Sequence, residues 1–183
     1  MGQYYRPVLE TEKEKFSFSS YDFGNGAKLM EHSYIGNTLV RRVELEILNS
    51  PKRLTWAGDY ADPIKGSNPE INLFEAVEVQ KTSKEDAEVV SDSCNLNPNS
   101  KGYKYLVNHT KKEWCSNTGK KRSCGLTISR LPLLTADGNG RGGGDYHGED
   151  MKYVGSWAGD LIEIVNDLSP LKGYKRIAPK FYE

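Results

Sequence analysis

Apolar positions along this chain follow two periods. Residues 3–10 and 15–21 read as strands; the second alternates aromatic with polar side chains, as half-buried strands do, and Pro7 gives the first an edge or a bulge. Asp22-Phe-Gly-Asn-Gly26 is turn sequence. The period then lengthens: Ala27, Met30 and Tyr34 share one helical stripe, which Gly36 stops. Asn37 caps a second helix, in which Leu39, Val40, Val43 and Ile47 make an amphipathic face. Arg42 and Glu46 pair one turn apart on its solvent side, and Ser50-Pro51 ends it.

Residues 53–60 read as a short strand. Asn68-Pro69 predicts the cap and first position of a short helix running through Leu73, Phe74 and Val77. Residues 81–101 are polar, acidic and poor in large apolar side chains, which predicts a mobile surface excursion rather than a linker between domains. Residues 103–108 and 113–116 form a hairpin across His109-Thr-Lys-Lys112, and residues 126–135 a further strand kinked at Pro132. After a glycine-rich loop come two more short segments, 153–159 and 161–165, and a last one over 174–181. The expected fold class is α+β. It is a single domain over residues 1–183, a largely antiparallel sheet with two or three helices packed on it.

Bulk composition changes that picture little. A chain of 183 residues is long enough to bury a real core. Lysine plus arginine and aspartate plus glutamate both number 25, so no global field draws the protein to nucleic acid or anionic membrane. Locally the sign varies. Residues 101–130 hold eight basic side chains and one acid, whereas residues 70–92 hold seven acids and two lysines. Three cysteines, an odd number, argue against a disulfide framework and for a reducing cytosol. The start, Met1-Gly-Gln-Tyr-Tyr-Arg-Pro, lacks a basic stretch followed by an apolar run, and no window reaches membrane-spanning length. A cytoplasmic protein is the expectation.

The most conspicuous stretch is Thr135-Ala-Asp-Gly-Asn-Gly-Arg-Gly-Gly-Gly-Asp-Tyr-His-Gly-Glu-Asp150, in which six of the eleven residues from Gly138 to Gly148 are glycine. Glycine that dense is kept where the chain needs positive φ or a close approach. Gly138-x-Gly140-x-x-Gly143 formally matches a dinucleotide fingerprint, but no helical pattern follows it. Asp137, Asn139, Gly142 and Asp145 half-match a calcium loop, yet Arg141 sits at a ligand position and Gly148 where a bidentate glutamate belongs. No Gly-Lys-Ser/Thr ending is present, and Ser156 lies one position early for a nucleophile elbow. A tetrapeptide that closes the region, Trp157-Ala-Gly-Asp160, also occurs as Trp56-Ala-Gly-Asp59.

Two metal sets remain. His32, Asp59, Asp145 and His147 would converge from helix, strand and glycine loop as a mixed nitrogen and oxygen site for zinc or another divalent ion. Cys94, His109, Cys115 and Cys124 would form the alternative, a three-cysteine, one-histidine zinc site. Neither has a diagnostic spacing, and hydrogen-bonded histidines and buried thiols are the plainer reading of both. The basic strip of Lys101, Lys104, Lys111, Lys112, Lys120, Lys121, Arg122 and Arg130 is interleaved with Tyr103, Tyr105 and Trp114. It could track a phosphate backbone, but a zero total charge favours a solvated hairpin face over direct nucleic-acid binding.

At Met1-Gly-Gln-Tyr-Tyr5, Tyr21-Asp-Phe-Gly-Asn-Gly-Ala-Lys-Leu-Met-Glu-His-Ser-Tyr-Ile-Gly-Asn37, Trp56-Ala-Gly-Asp-Tyr-Ala-Asp62 and Leu134-Thr-Ala-Asp-Gly-Asn-Gly-Arg-Gly-Gly-Gly-Asp145, the sequence resembles a family of phage and mobile-element proteins from gut and oral bacteria. The resemblance spans most of the chain, and no reaction is assigned to the family. Small phage proteins of this kind are frequently inhibitors of host defence, including anti-CRISPR proteins that bind an RNA-guided nuclease. The resemblance therefore implies a non-enzymatic inhibitor of a bacterial defence protein, stabilised by a structural metal. Its contact surface would be the acidic excursion or the basic hairpin with Lys111, Lys112, Lys120, Lys121 and Arg122. The competing expectation is a small metal-dependent hydrolase of nucleotides or phosphodiesters, built on His32, Asp59, Asp145 and His147.

Overall fold

The computed structural model describes residues 2–95, 104–121, 124–139 and 144–181. Among them the strands are β1 (Tyr5–Glu10), β2 (Lys15–Ser17), β3 (Lys52–Gly58), β4 (Tyr105–Asn108), β5 (Glu113–Ser116), β6 (Thr118–Lys121), β7 (Thr127–Ser129), β8 (Ala136–Asp137), β9 (Leu161–Val165) and β10 (Lys175–Arg176). The helices are α1 (Leu29–His32), α2 (Thr38–Ile47), α3 (Leu73–Ala76), α4 (Lys84–Asn95) and α5 (Arg130–Thr135). Eight strands form one sheet in the order β10-β5-β4-β9-β3-β1-β2, with β8 added beside β3, and β6 pairs with β7 apart from it. Most pairings are antiparallel; β10 with β5 and β3 with β8 are parallel. The fold is α+β. No helix among the described residues is long and apolar enough to cross a membrane.

β3 is the hub. One side of it pairs with β1 along its length, from Tyr5 against Gly58 to Glu10 against Arg53. Its other side is shared by three pieces. β9 meets Lys52 and Arg53, β8 meets Trp56 and Ala57, and Gly159 and Asp160 hydrogen-bond Leu54 between them. The second Trp-Ala-Gly-Asp is therefore not a strand like the first. It is a turn segment wedged between two strands, tied to α5 through Trp157 N–H to the Leu134 carbonyl.

The two faces of the sheet are filled differently. Leu54, Trp56, Leu106, Cys115, Ile162 and Ile164 point inward to the main core, where α2 contributes Leu39, Val40, Val43 and Ile47. On the outer face Leu73, Phe74 and Val77, from α3 and the residue after it, cover Val8 and Ala57. Strand alternation then places Tyr105, Val107, Trp114 and Glu163 on that outer face, beyond α3.

Several expectations hold. Asn37 caps α2, its Oδ1 accepting from Val40 N–H at 3.1 Å, and Arg42 pairs with Glu46 at 2.8 Å. Others change. The second strand ends at Ser17 and gives way to a short 3-10 turn, and α1 is only one turn long. Residues 68–69 do not start α3; Asn72 does, accepting from Glu75 N–H at 2.9 Å. The supposed excursion carries α4, begun by Ser83, whose hydroxyl accepts from Asp86 N–H and donates to the Asp86 carboxylate. The Ser83 cap satisfies one free N–H at the helix start, and Val90 is buried. The kinked strand is β7 followed by α5. Pro132 sits in the first helical turn, where its missing N–H costs nothing.

Gly155 marks the tightest approach around the hub. Its φ is +69°, and a Cβ there would lie 2.5 Å from the Ala136 carbonyl oxygen. Gly173 has φ of +83° but open space around it. In urea unfolding, Gly173→Ala should cost about 1 kcal/mol. Gly155→Ala adds a backbone clash and should cost about 3 kcal/mol or more.

Candidate functional site

The glycine loop enters from β8 and leaves toward Tyr146; residues 140–143, with the central part of the calcium and dinucleotide matches, lie outside the described residues. Its two described flanks close on Tyr5. A Cβ on Gly138 would collide with the Tyr5 hydroxyl, and one on Gly144 would lie 2.6 Å from the ring. Three carboxylates stand around the same phenol. Burial raises the Tyr5 pKa above its ordinary value, and Asp145, Asp137 and Asp59 add to the effect. Burial, with Asp62 nearby, also lifts the Asp137 carboxyl.

Two of these carboxylates already have structural work. Asp145 Oδ1 accepts from Met30 N–H at 2.9 Å and so anchors the single turn of α1. Asp59 Oδ1 accepts from Tyr4 N–H at 2.9 Å, extending the β1 and β3 pairing. His32 is wholly buried. Its Nε2 accepts from Trp56 Nε1–H at 2.8 Å, so the ring proton sits on Nδ1 and donates to the Gly26 carbonyl at 3.0 Å. The loop thus brings Asp145 beside His32, as the sequence implied, but His32 has no free lone pair for a metal. Burial lowers its pKa and keeps it neutral. His147 is exposed on the loop.

The cysteine set is also dispersed. Cys115 is buried on β5, its thiol pushed up to about 12 by burial, while Cys124 is exposed. The Cys94 side chain lies outside the described residues. His109 is committed on both nitrogens: Nε2 to Glu163 Oε2 at 2.7 Å and Nδ1 to the Tyr174 hydroxyl at 3.0 Å. Among the described residues no group of three or more histidine, cysteine, aspartate or glutamate side chains is placed to hold a metal ion. In each set a central histidine, His32 or His109, is engaged by hydrogen bonds within the protein.

The basic hairpin is partly self-satisfied. Lys111 reaches Asp160 at 3.6 Å and donates to the Ser156 carbonyl. Lys112 is exposed at the turn with φ of +54°. Lys120 and Lys121 lie on β6, but their side chains, and Arg122 altogether, fall outside the described residues.

The distribution of charge across the sheet is a feature the linear sequence does not reveal. Segment 77–80 runs beside β2, where Gln80 N–H donates to the Ser17 carbonyl, and leads to α4 against α2. Glu75, Glu78, Glu85, Asp86 and Glu88 are all exposed along that path. None of the side-chain ion pairs formed among the described residues uses them. The opposite edge, β10 beside β5, carries exposed Lys175 and Arg176. A zero net charge therefore conceals an acidic edge and a basic edge. Next to the acidic edge a cavity of about 230 Å³ opens among Tyr4, Tyr21, Arg6 and Phe74. Tyr21 is 68% exposed and Tyr4 46%.

No family model, no curated protein and no solved structure matches this chain.

The state of His32 has a measurable consequence. Above its ordinary value near 6.5 the ring is neutral in both folded and unfolded chains. Below that, the unfolded chain binds a proton that the folded chain refuses, so stability falls as pH falls, by up to about 1.4 kcal/mol per pH unit. Buried Glu44, whose carboxyl is raised by burial, contributes the opposite sign but is common to wild type and variant. Urea titrations from about pH 7 to about pH 5, either side of that ordinary value, should show a His32-dependent slope that His32→Gln removes. Nitrogen NMR should find His32 as the neutral Nδ1–H tautomer throughout, and chelation should leave the melting temperature unchanged.

Proposed function

We propose that this protein is a stoichiometric binding protein of the host-defence-inhibitor type, which occludes the nucleic-acid groove of an RNA-guided nuclease with its acidic edge. The observation that carries the reading is the row of exposed carboxylates, Glu75, Glu78, Glu85, Asp86 and Glu88, unused by any side-chain ion pair among the described residues. Some carboxylates elsewhere are engaged, Glu44 with Arg41, Glu46 with Arg42 and Glu163 with His109, and the exposed ones that are not, such as Glu12, Asp22 and Glu149, lie apart from this run in the sequence. Proteins that hold nucleic acid do so with lysine and arginine in a groove. A ridge of fixed carboxylates complements such a groove and speeds encounter with it.

Charge alone gives steering more than affinity. The cavity beside the ridge supplies the second ingredient, since Tyr4 and Tyr21 are large, partly exposed rings of the kind that anchor interfaces. α4 is held in place by Val90 and its Ser83 cap, so the ridge is presented on a structured element. The hydrolase reading has no such support, because His32 spends both ring nitrogens on Trp56 and Gly26.

Inhibition and turnover separate on dose. Against a panel of purified RNA-guided nucleases, cleavage of target DNA by a susceptible member should stop near one equivalent of protein, with co-elution on gel filtration. Replacing Glu78, Glu85 and Glu88 by lysine should weaken inhibition at least about tenfold and flatten its salt dependence, with the melting temperature little changed. Tyr21→Ala should weaken it independently of salt. Release of product from a nucleotide panel at catalytic dose, or no inhibited nuclease in the panel, would overturn the reading.

A further inference from the structure

The edge opposite the acidic ridge carries a different surface. Register places Val107 against Trp114 and Glu163, and Tyr105 against Ser116 and Val165, all on the outer face of the sheet. α3 packs over β1 and β3, away from these strands. The Tyr105 and Trp114 rings meet edge to face at 5.5 Å, and Arg176 lies over Trp114 at 5.5 Å. A second pair, His109 and Tyr174, meets edge to face at 5.8 Å and is fixed by the bond from His109 to Glu163. Tyr105, Trp114 and Tyr174 each keep part of their surface exposed.

Arg176 is the cation on the rings' own face, and further cations lie at its rim. Lys104 at the start of β4, Lys112 in the turn, and Lys175 and Arg176 on β10 are all exposed. Among the described residues none of the four is in a side-chain ion pair. The acids nearby are hydrogen-bonded or turned away: Glu163 is half-buried and bonded to His109, and Glu113, on the other face of β5, accepts from Trp157 Nε1–H at 2.9 Å. Residues 104–121 and 174–181 together hold eight lysines and arginines against one glutamate. Aromatic rings between exposed cations on one sheet face are what bases and phosphates of a single strand require, and every base has a face to stack.

We infer that the outer face of β4, β5 and β10 binds a single-stranded polynucleotide, with Trp114 and Tyr105 stacking on bases, Arg176 on the phosphates beside Trp114, and Lys112 and Lys175 on the phosphates at the rim, in the turn and on the edge strand. Zero net charge weighed against such binding in the sequence; the folded sheet separates the charges and removes that objection. A double helix is a poor ligand for this face, because its bases are already stacked on one another. Single-strand binding here is independent of the acidic ridge, and the two can fail separately.

The test uses fluorescein-labelled oligouridylate and oligothymidylate of about twelve nucleotides, the whole protein, and anisotropy at several salt concentrations. Both single strands should bind, more tightly than a duplex of equal length. Binding should quench tryptophan fluorescence. Trp114→Ala should weaken it on the order of tenfold. Lys175→Glu with Arg176→Glu should make the salt slope shallower by about one for each phosphate that is no longer neutralised. The lysine substitutions on the acidic ridge should not weaken it. Trp114→Phe, which keeps an aromatic ring in the sheet, controls for misfolding of the alanine variant and should retain most of the affinity. No binding to either strand at low salt, equal or better binding to duplex, or unchanged affinity in both the ring and the charge variants overturns the inference.

Discussion

A buried indole N–H must find an acceptor or cost the fold a hydrogen bond, and this protein meets that demand twice. Trp56 and Trp157 are both fully buried. Trp56 donates to His32 and Trp157 to Glu113. Each bond spans the structure: the first joins β3 to the short α1 segment, the second joins the wedge between β9 and β8 to strand β5. The repeated Trp-Ala-Gly-Asp is thus a repeated solution to one packing problem. Its aspartates act alike, Asp59 holding Tyr4 N–H and Asp160 accepting from Asn108 Nδ2–H at 2.7 Å. His32 is neutral because its role is to accept that indole proton, and the same bond denies it to a metal.

With the centre closed in this way, the free chemistry lies at the sheet's two ends. The strand order puts β2, with segment 77–80 beside it, at one edge and β10 with the basic hairpin at the other, and the acidic path continues from the first edge onto α4, which packs on α2. Separation of this kind is costly in self-energy only if charges crowd within a Debye length, roughly 8 Å at physiological salt, and the span from β2 to β10 exceeds that comfortably. The two proposals together describe a ribonucleoprotein partner, with its protein on the acidic ridge and its nucleic acid on the aromatic face.

Legibility in the sequence followed the distance between a pattern and its cause. α2 was readable because its cap, its apolar stripe and its Arg42 to Glu46 pair all lie close together in the chain. α4 had a local signal too, Ser83 and Asp86 at capping-box spacing, but the acidic composition around them masked it. α5 was obscured by Pro132, which marks a helix start as readily as a strand kink. Neither metal set comes together among the described residues, for a reason that residue types alone cannot reveal. Whether a histidine is a ligand depends on which lone pairs remain, and both His32 and His109 take partners from residues far along the chain: Trp56, Glu163 and Tyr174. The charge segregation was written in the composition of residues 70–92 and 101–130, but strand order was needed to put segment 77–80 beside β2 and the β4–β5 hairpin beside β10.

The glycine run shows the same logic from the other side. Dense glycine beside aspartate and histidine looks like a ligand loop, because both the backbone freedom and the donors are present. In the fold, Gly138 and Gly144 are small so that the Tyr5 ring can lie against the backbone, and Asp145 is there to hold Met30 N–H. Both needs arise from packing β1 under the loop, with no substrate required. A carboxylate that accepts a backbone N–H is still charged, so carboxylates around one phenol raise its pKa without making it reactive. A higher pKa means less phenolate at neutral pH, the reverse of an activated nucleophile. Electrostatics at this loop therefore argue against nucleophilic chemistry by Tyr5. The exposed carboxylates of the acidic path and the cations of β10, which form no ion pairs among the described residues, are the charges on which the two proposed binding surfaces rest.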